Sequence, residues 1–365
     1  MRILYGVVGE GMGHATRSRV VLRHLLARGH EVQIVVSGRA HDLLAEEFPQ
    51  VRRIHGLELV YGENEVQKRK TFLANLEGLN AGLPDNVKAW FRLVREFAPE
   101  VVISDFESWS YLYGRNRRLP VISIDNMQVI NRCAHGDLLE GHKKAFRLAK
   151  TIVKAKLPGC AHYLVTTFFY PPVRKKRTTL VPPILRDEVL AARATASDEG
   201  HVLVYQSGET HGALVDVLRT FGDTEFRVYG LRRDLQETER DGNITWRPFS
   251  QQGFIDDLAS SRAAIAGGGF SLMGEAVFLG KPMLSVPLIG QFEQTLNALW
   301  LEKLRYGLYR QTVTREDIGV LLERAPEFAQ ALLGHTQDGN RELLANVDGL
   351  LKHIEFGRVR VTLEA

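Results

Sequence analysis

Three consecutive glycines, Gly267 to Gly269, are followed by Glu275 and then by the adjacent Glu293 and Gln294, all within the run AIAGGGFSLMGEAVFLGKPMLSVPLIGQFEQTLNA. The apolar residues before the glycines predict a strand, and those after them predict a helix. Gly280-Lys281-Pro282 then turns the chain into a further strand. Glycines between a strand and a helix let a ligand approach the backbone closely, and the free N–H groups and dipole of a helix start favour an anion. A phosphate is the expected occupant. Glu275, on the first two turns, is too near the helix start to be a phosphate ligand, yet it can accept hydrogen bonds from a ribose diol. The same pattern also arises when glycines only pack helix against strand and a carboxylate complements the dipole, and a short glycine run does not separate the two.

A second group of candidates lies near the N-terminus. GEGMGHATRS follows the first apolar run and supplies Gly9, Gly11 and Gly13, with His14 at the start of the next helix. A dinucleotide fingerprint would need a further glycine where Ala15 or Thr16 stands, and an acidic residue where the second strand ends in Ser37-Gly38-Arg39. No nicotinamide cofactor is expected. A helix N-terminus lowers the pKa of an imidazole, so that His14 stays neutral and can accept a proton near pH 7. Such a base needs a carboxylate to orient it and stabilise its charged form. Asp105, closing the strand VVISD, is the candidate. The alternative for His14 is a hydrogen bond to a loop carbonyl.

The elements that must position these residues follow one plan twice. RILYGVVG, EVQIVVSG, VVISDF and PVISID are short β-branched runs separated by helical stretches, with HYLVTT expected as the last strand of a parallel, doubly wound sheet. PPVRKKRTTLVPPILRDEVL, holding four of the thirteen prolines and a block of four basic residues, reads as an interdomain connection. The plan restarts with HVLVYQSG, FRVYG, NITWRPF, AAIAGGG and PMLSVPL. The expected fold is therefore α/β, with two Rossmann-like domains facing a central cleft. The N-terminal domain spans 1–172, the linker 173–190 and the C-terminal domain 191–342. The final amphipathic helix, 343–365, can pack back on the first domain. Ligands at the carboxyl ends of both sheets would place a donor on one side and an acceptor on the other.

Composition fits this plan. A chain of 365 residues exceeds what one core usually fills, and 44% hydrophobic with 25% charged residues is ordinary for a globular protein. Cys133 and Cys160 lack the spacing of a metal site or a disulfide framework, which fits a reducing cytoplasm. No run approaches the roughly 20 apolar residues that span a bilayer, and Ile3 to Val8 is too short for a signal peptide core. The net charge of +4 is unevenly spread, gathering at Lys68-Arg69-Lys70, between His142 and Lys156, and at Arg174 to Arg177. Leu138, Leu139, Phe146, Leu148, Ile152 and Val153 interleave the second cluster. That segment forms either a basic amphipathic helix suited to an anionic membrane surface or a solvated helix whose apolar stripe packs inward.

On these residues the chain resembles the GT-B glycosyltransferases of the UDP-glycosyltransferase superfamily. Its second half is similar to the lipid-linked N-acetylglucosaminyltransferases (MurG-type) of peptidoglycan synthesis. The pattern shared is a Gly-rich loop, Glu275, Gly-x-Pro, a further Pro, an acidic residue followed by Gln294, then Asn-Ala; Gly-Met-Gly-His and Asp105 match the superfamily's base and its partner. The resemblance implies that Glu275 holds ribose hydroxyls while Gly268, Gly269 and Phe270 present backbone to the diphosphate. It places Glu293 and Gln294 on the donor sugar, Phe249 and Ser250 at the uracil, and Ser207 and Gly208 on a second loop facing the phosphates. Gly11 and Gly13 would belong to the acceptor-side loop. Where many members carry a histidine this chain has Gly267, leaving the diphosphate to N–H groups and the helix dipole.

The implied activity is inverting transfer of a hexose-type sugar from a UDP-sugar to an acceptor hydroxyl, with His14 as base and Asp105 as its partner. No cofactor is expected beyond the UDP-sugar co-substrate, and no metal: Asp105-Glu107 already has a role, and Asp256-Asp257 is expected to face solvent on a helix. The acceptor is open between a lipid-linked, a soluble glycan and a small-molecule hydroxyl, with nucleic acid not the expected partner. The expected location is cytoplasmic, with peripheral contact on the inner face of the membrane as an option. Three alternatives stand beside transfer. Gly13-His14-Ala15-Thr16-Arg17 fits the Gly-His-x-x-Arg pattern of UDP-sugar hydrolases, UDP-GlcNAc 2-epimerases share the architecture, and a non-catalytic nucleotide-sugar-binding protein would retain the fold.

Overall fold

Two seven-stranded sheets organise the chain, each within its own unit. The computed structural model describes all residues except 10–11, 56–60, 63–64, 67–85, 207–211, 233 and 358–365. One unit comprises Met1–Val60, Val66–Ile184 and Asp338–Ala365, and the other Tyr61–Glu65 and Leu185–Gln337.

In the first unit the strands are β1 (Arg2–Val7), β2 (Glu31–Val36), β3 (Val51–Arg53), β4 (Val101–Asp105), β5 (Val121–Asp125), β6 (His162–Thr166) and β7 (Thr178–Val181). They run parallel in the order β3-β2-β1-β4-β5-β6-β7. Every residue of β4 and β5 is buried, as expected of parallel strands covered on both faces. Helix α1 (Met12–Ala27) covers the sheet with Ala15, Val21, Leu22 and Leu25. The order reverses between β1 and β4, where Val7 pairs with Asp105. In open α/β sheets the carboxyl ends of the strands at such a reversal are where ligands bind.

Gly9 is needed in the first of those connections, because a Cβ on it would stand 1.8 Å from the Ser37 carbonyl oxygen. Past β4 the backbone takes a left-handed turn at Phe106, with φ of 54°. For a residue with a bulky side chain this conformation is strained by on the order of 1 kcal/mol or more, a cost that tends to be retained near functional groups. Helix α2 (Ser108–Asn116) follows at once, capped by the buried Glu107, whose carboxylate accepts from the N–H groups of Trp109 and Ser110.

The second unit contains β8 (Val202–Tyr205), β9 (Phe226–Tyr229), β10 (Glu239–Asp241), β11 (Ile244–Trp246), β12 (Ala263–Ala266), β13 (Met283–Ser285) and β14 (Gly307–Tyr309). Their order is β10-β11-β9-β8-β12-β13-β14, all pairs parallel except β10 with β11. Its reversal lies between β8 and β12, and the glycine run Gly267 to Gly269 leaves β12 at that point.

The structure departs from the sequence reading at several strands and at Asp257. HYLVTT is not the last strand of its sheet: Thr178–Val181 pairs beyond it, inside the span 173–190 read as linker. The β-branched Thr-Thr-Leu-Val is a good strand sequence, and flanking prolines and basic residues masked it. The short edge strands β3, β10 and β14 carried too little alternation to be read. Asp257 is buried rather than facing solvent. It accepts from Arg227 Nη1 and Arg247 Nε at 2.7 Å each and from the Tyr229 hydroxyl at 2.5 Å, so two guanidinium groups offset its desolvation.

The C-terminal segment belongs to the first unit. Leu343, Val347 and Leu351 of its helix (Arg341–Glu355) recur every four residues and join the core that β1 and α1 build.

Candidate active site

Four side chains meet at the carboxyl ends of β1 and β4. His14, the third residue of α1, directs Nδ1 to Asp105 Oδ1 at 2.9 Å. Arg17, one turn further along α1, donates from Nε to Asp105 Oδ2 at 2.8 Å and pairs through Nη2 with Oδ1. The Ser18 hydroxyl donates to Oδ2 at 3.0 Å. The spacing of His14, Arg17 and Ser18, at positions i, i+3 and i+4, puts all three on the helix face that looks at the end of β4. Arg17 Nη1 also donates to Asn126 Oδ1 at 3.2 Å, which ties in the residue after β5.

Burial and charge fix the protonation of this cluster. Asp105 is 1% exposed, and burial by itself would raise its pKa. The charge of Arg17, then His14, outweighs that and holds the carboxyl well below the usual range. His14 is 19% exposed in its side chain and is held below its ordinary value. The largest cause is burial and the next is Arg17, with Lys156 adding to them and Asp105 opposing. The expectation of a neutral imidazole rested on the helix dipole, and burial with the neighbouring Arg17 guanidinium acts in the same direction. Among the described residues, Nε2 has no hydrogen-bond partner.

In the second unit, Gly269 caps helix α3 (Phe270–Leu279), and nothing lies within 4 Å of where its Cβ would be. Gly268 differs. A Cβ there would stand 2.4 Å from the Gln294 carbonyl oxygen, so its missing side chain is explained by close packing on helix α4 (Phe292–Lys303). Gln294 Oε1 accepts from the N–H of Leu288 at 3.0 Å and of Gly268 at 3.3 Å. Asn297 donates to the Gly268 carbonyl at 3.0 Å and to Glu293 Oε1 at 2.6 Å. The Gln-x-x-Asn face of α4 therefore fastens the glycine run and orients Glu293.

Glu275 is buried, and both its oxygens accept from Arg186, whose Nε and Nη2 lie 2.7 Å away. Phe249 is 82% exposed, and the Ser250 hydroxyl caps the helix Gln251–Ser260 by accepting from the Gly253 N–H at 3.1 Å. Ser207, Gly208 and Gly11 lie outside the described residues, as does Lys68-Arg69-Lys70; Gly13 is the second residue of α1.

Sequence reasoning thus paired His14 with Asp105, which the structure brings together; it placed Gly268 on the diphosphate and Glu293 with Gln294 on the donor sugar, and the structure links these three through Gln294 and Asn297. Sequence reasoning did not assign Arg17, although that residue stood in a quoted motif, nor Ser18, Asn126 and Asn297. Helical spacing could have found all but Asn126. Arg186 gives no signal, since it is 89 residues from Glu275 in the chain.

The basic segment resolves into a short turn, Gly136–Leu139, and a helix, Lys143–Lys156. Val153 alone among the residues of that helix is buried, while Leu148 and Ile152 are 50% and 56% exposed. The inward-packing alternative therefore holds for Val153 and not for the Leu148–Ile152 edge.

A family model described as glycosyl transferase family 1 matches residues 1–326. An uncharacterized glycosyltransferase of Methanosarcina mazei is 26% identical over 334 residues, covering 84% of this chain and 85% of that protein. Among solved structures, the glycotransferase of kitacinnamycin superposes with a TM-score of 0.66 at 20% identity, over 97% of this chain and 98% of that one. MurG of Acinetobacter baumannii superposes with a TM-score of 0.60 at 15% identity, over 95% and 99% of the two chains.

Proposed function

The chain belongs to glycosyl transferase family 1 and has the GT-B fold of two Rossmann-like units, and we propose that it moves a hexose-type sugar from a UDP-sugar to an acceptor hydroxyl, inverting the anomeric centre without a catalytic metal. The observation that carries this reading is the 2.9 Å contact of His14 Nδ1 with a buried, ionised Asp105, which leaves Nε2 without a partner among the described residues.

With Nδ1–H donated to Asp105, the Nε2 lone pair takes the proton of the acceptor hydroxyl. The acceptor oxygen forms a bond to the anomeric carbon as the bond from that carbon to the diphosphate breaks, and its electron pair leaves with UDP. Attack opposite the leaving group inverts the centre. Asp105 stabilises the imidazolium that forms. The leaving diphosphate is met by the start of α3 at Gly269 and Phe270 and by Ser207 and Gly208, while Gly268, whose N–H is bonded to Gln294, supports the loop. Glu275 takes the ribose hydroxyls, Glu293 and Gln294 the donor sugar, and Phe249 with Ser250 the uracil. The open space above Gly269 supports the diphosphate assignment.

The acceptor is proposed to be lipid-linked and reached from an anionic membrane surface, because Leu148 and Ile152 stand exposed on a helix carrying Lys143, Lys144, Arg147, Lys150 and Lys154. One observation favours a second reading: Arg17, which completes the Gly-His-x-x-Arg pattern shared with UDP-sugar hydrolases, is held beside His14 on Asp105. Incubating pure protein with UDP-sugars, with and without candidate acceptors, decides between them. Transfer requires UDP release that depends on the acceptor, and rapid release to water alone would favour the hydrolase.

A further inference from the structure

Arg17 is 4% exposed, and its guanidinium is committed to three elements at once. Nε and Nη2 hold both oxygens of Asp105 at the end of β4, Nη1 reaches Asn126 after β5, and Nη2 lies 2.7 Å from His14 Nδ1 on its own helix. His14 Nδ1 therefore has two rival neighbours, an oxygen that accepts a proton and a nitrogen that donates one. If Nδ1 carries the hydrogen, it donates to Asp105 and leaves the lone pair on Nε2. If Nδ1 accepts from Arg17, the hydrogen is on Nε2 and no base faces outward. Only one of the two tautomers can take a proton from an acceptor.

We propose that Arg17 is a positioning residue for His14: by gripping Asp105 across both oxygens and anchoring itself on Asn126, it presents Oδ1 to Nδ1 and thereby decides which ring nitrogen carries the proton. The proposal rests on the reading of His14 as the base. The fork geometry matters because Nη2 already spends hydrogen-bonding capacity on Oδ1, which biases Nδ1 toward donation. Arg17 also makes the Arg–Asp pair neutral as a unit, so the imidazolium is favoured less than it would be beside a lone carboxylate. The other charged and titratable groups around the cluster are Lys156 from the helix Lys143–Lys156, Asp125 of β5 acting on Arg17, and Tyr5 of β1. Lys156 stands 4.2 Å above the ring of Phe106, the left-handed residue directly after Asp105, and acts on His14 in the same direction as Arg17.

Nitrogen-15 NMR of the histidine rings reads protonation and tautomer without needing turnover, with the His14 signals identified by their loss in His14→Gln. The expected wild-type state at pH 7 is a neutral ring protonated on Nδ1. Arg17→Gln removes the charge, and the titration midpoint should rise by about one pH unit or more. Arg17→Lys keeps a charge but cannot form the fork, so the midpoint should stay near wild type while the Nε2–H tautomer becomes visible. A purely structural role would lower thermal stability and move neither quantity. Wild-type midpoint in folded Arg17→Gln together with wild-type tautomer in Arg17→Lys overturns the proposal. If Arg17→Gln does not fold, the tautomer ratio in Arg17→Lys decides alone, an unchanged ratio overturning it. Full turnover in His14→Ala would sink the base assignment, and the ring measurement would still stand separately.

Discussion

Glu275 and Arg186 meet side on, each carboxylate oxygen accepting from one guanidinium nitrogen 2.7 Å away. A carboxylate oxygen has two acceptor sites, so this arrangement fixes the plane of Glu275 and leaves one site on each oxygen for a further donor. Two adjacent hydroxyls of a ribose are such a pair of donors. Wild-type protein should therefore bind UDP about tenfold or more tightly than its 2′,3′-dideoxy analogue, the scale of hydrogen bonds to a charged group. Glu275→Gln should lose most of that preference. Equal discrimination by variant and wild type in titration calorimetry would remove Glu275 from the ribose.

Adjacent glycines of one loop should respond oppositely to alanine. In Gly268→Ala the new Cβ would stand 2.4 Å from the Gln294 carbonyl oxygen, a backbone atom that cannot swing aside. The variant should lose about 1–3 kcal/mol of stability by overpacking. Gly269→Ala meets open space and should melt within a degree or two of wild type, while its UDP affinity falls because the Cβ occupies the approach of the diphosphate. Unchanged UDP affinity in a well-folded Gly269→Ala would move the diphosphate elsewhere.

Asp125 gives the stability of the first unit a pH signature. Burial pushes its carboxyl up to about 6, against the opposing hydrogen bonds from Ser123 and the Gln128 N–H. For an acid whose folded pKa is raised, the native state holds the proton that the unfolded chain has lost. Stability therefore falls as pH rises from about 4 to about 6 and then levels off, with a total on the order of 3 kcal/mol. Asn can accept from the Gln128 N–H and donate to Ser123. Denaturant unfolding of Asp125→Asn should lack this loss, so that its advantage over wild type grows between pH 4 and 6. A constant difference across that range would contradict the assignment.

How much of this was legible beforehand follows from the reach of each interaction. The two α/β halves showed in the sequence because parallel strands buried on both faces are continuous apolar runs. His14 and Asp105 showed because each ends or follows such a run. The edge strands were too short or too polar to register, and Thr178–Val181 was hidden by its basic and proline neighbours. Asp257 looked solvated because its partners, Arg227 and Arg247, come from separate stretches of chain. For Arg186 and Asn126 no local pattern exists, since only the folded sheets bring them to Glu275 and Arg17.

The exposed Leu148 and Ile152 make a membrane contact testable. Wild-type protein should co-sediment with vesicles containing anionic lipid at low salt and less so at high salt, as electrostatic contacts do. Replacing both residues by Ser should reduce binding at either salt concentration without changing thermal stability, because neither side chain is buried. Equal sedimentation of the double variant and wild type would dissociate this helix from membranes.

The most direct test of the account is the turnover of His14→Ala, measured as UDP release with the acceptor that supports the fastest wild-type rate and compared with UDP binding by the same protein. Because His14 titrates below its ordinary value, the acid limb of wild-type kcat/KM should lie below about pH 6.5. The variant should bind UDP as wild type does, lose that limb, and turn over slower by a factor on the order of 10² or more. Wild-type turnover in His14→Ala would contradict the account.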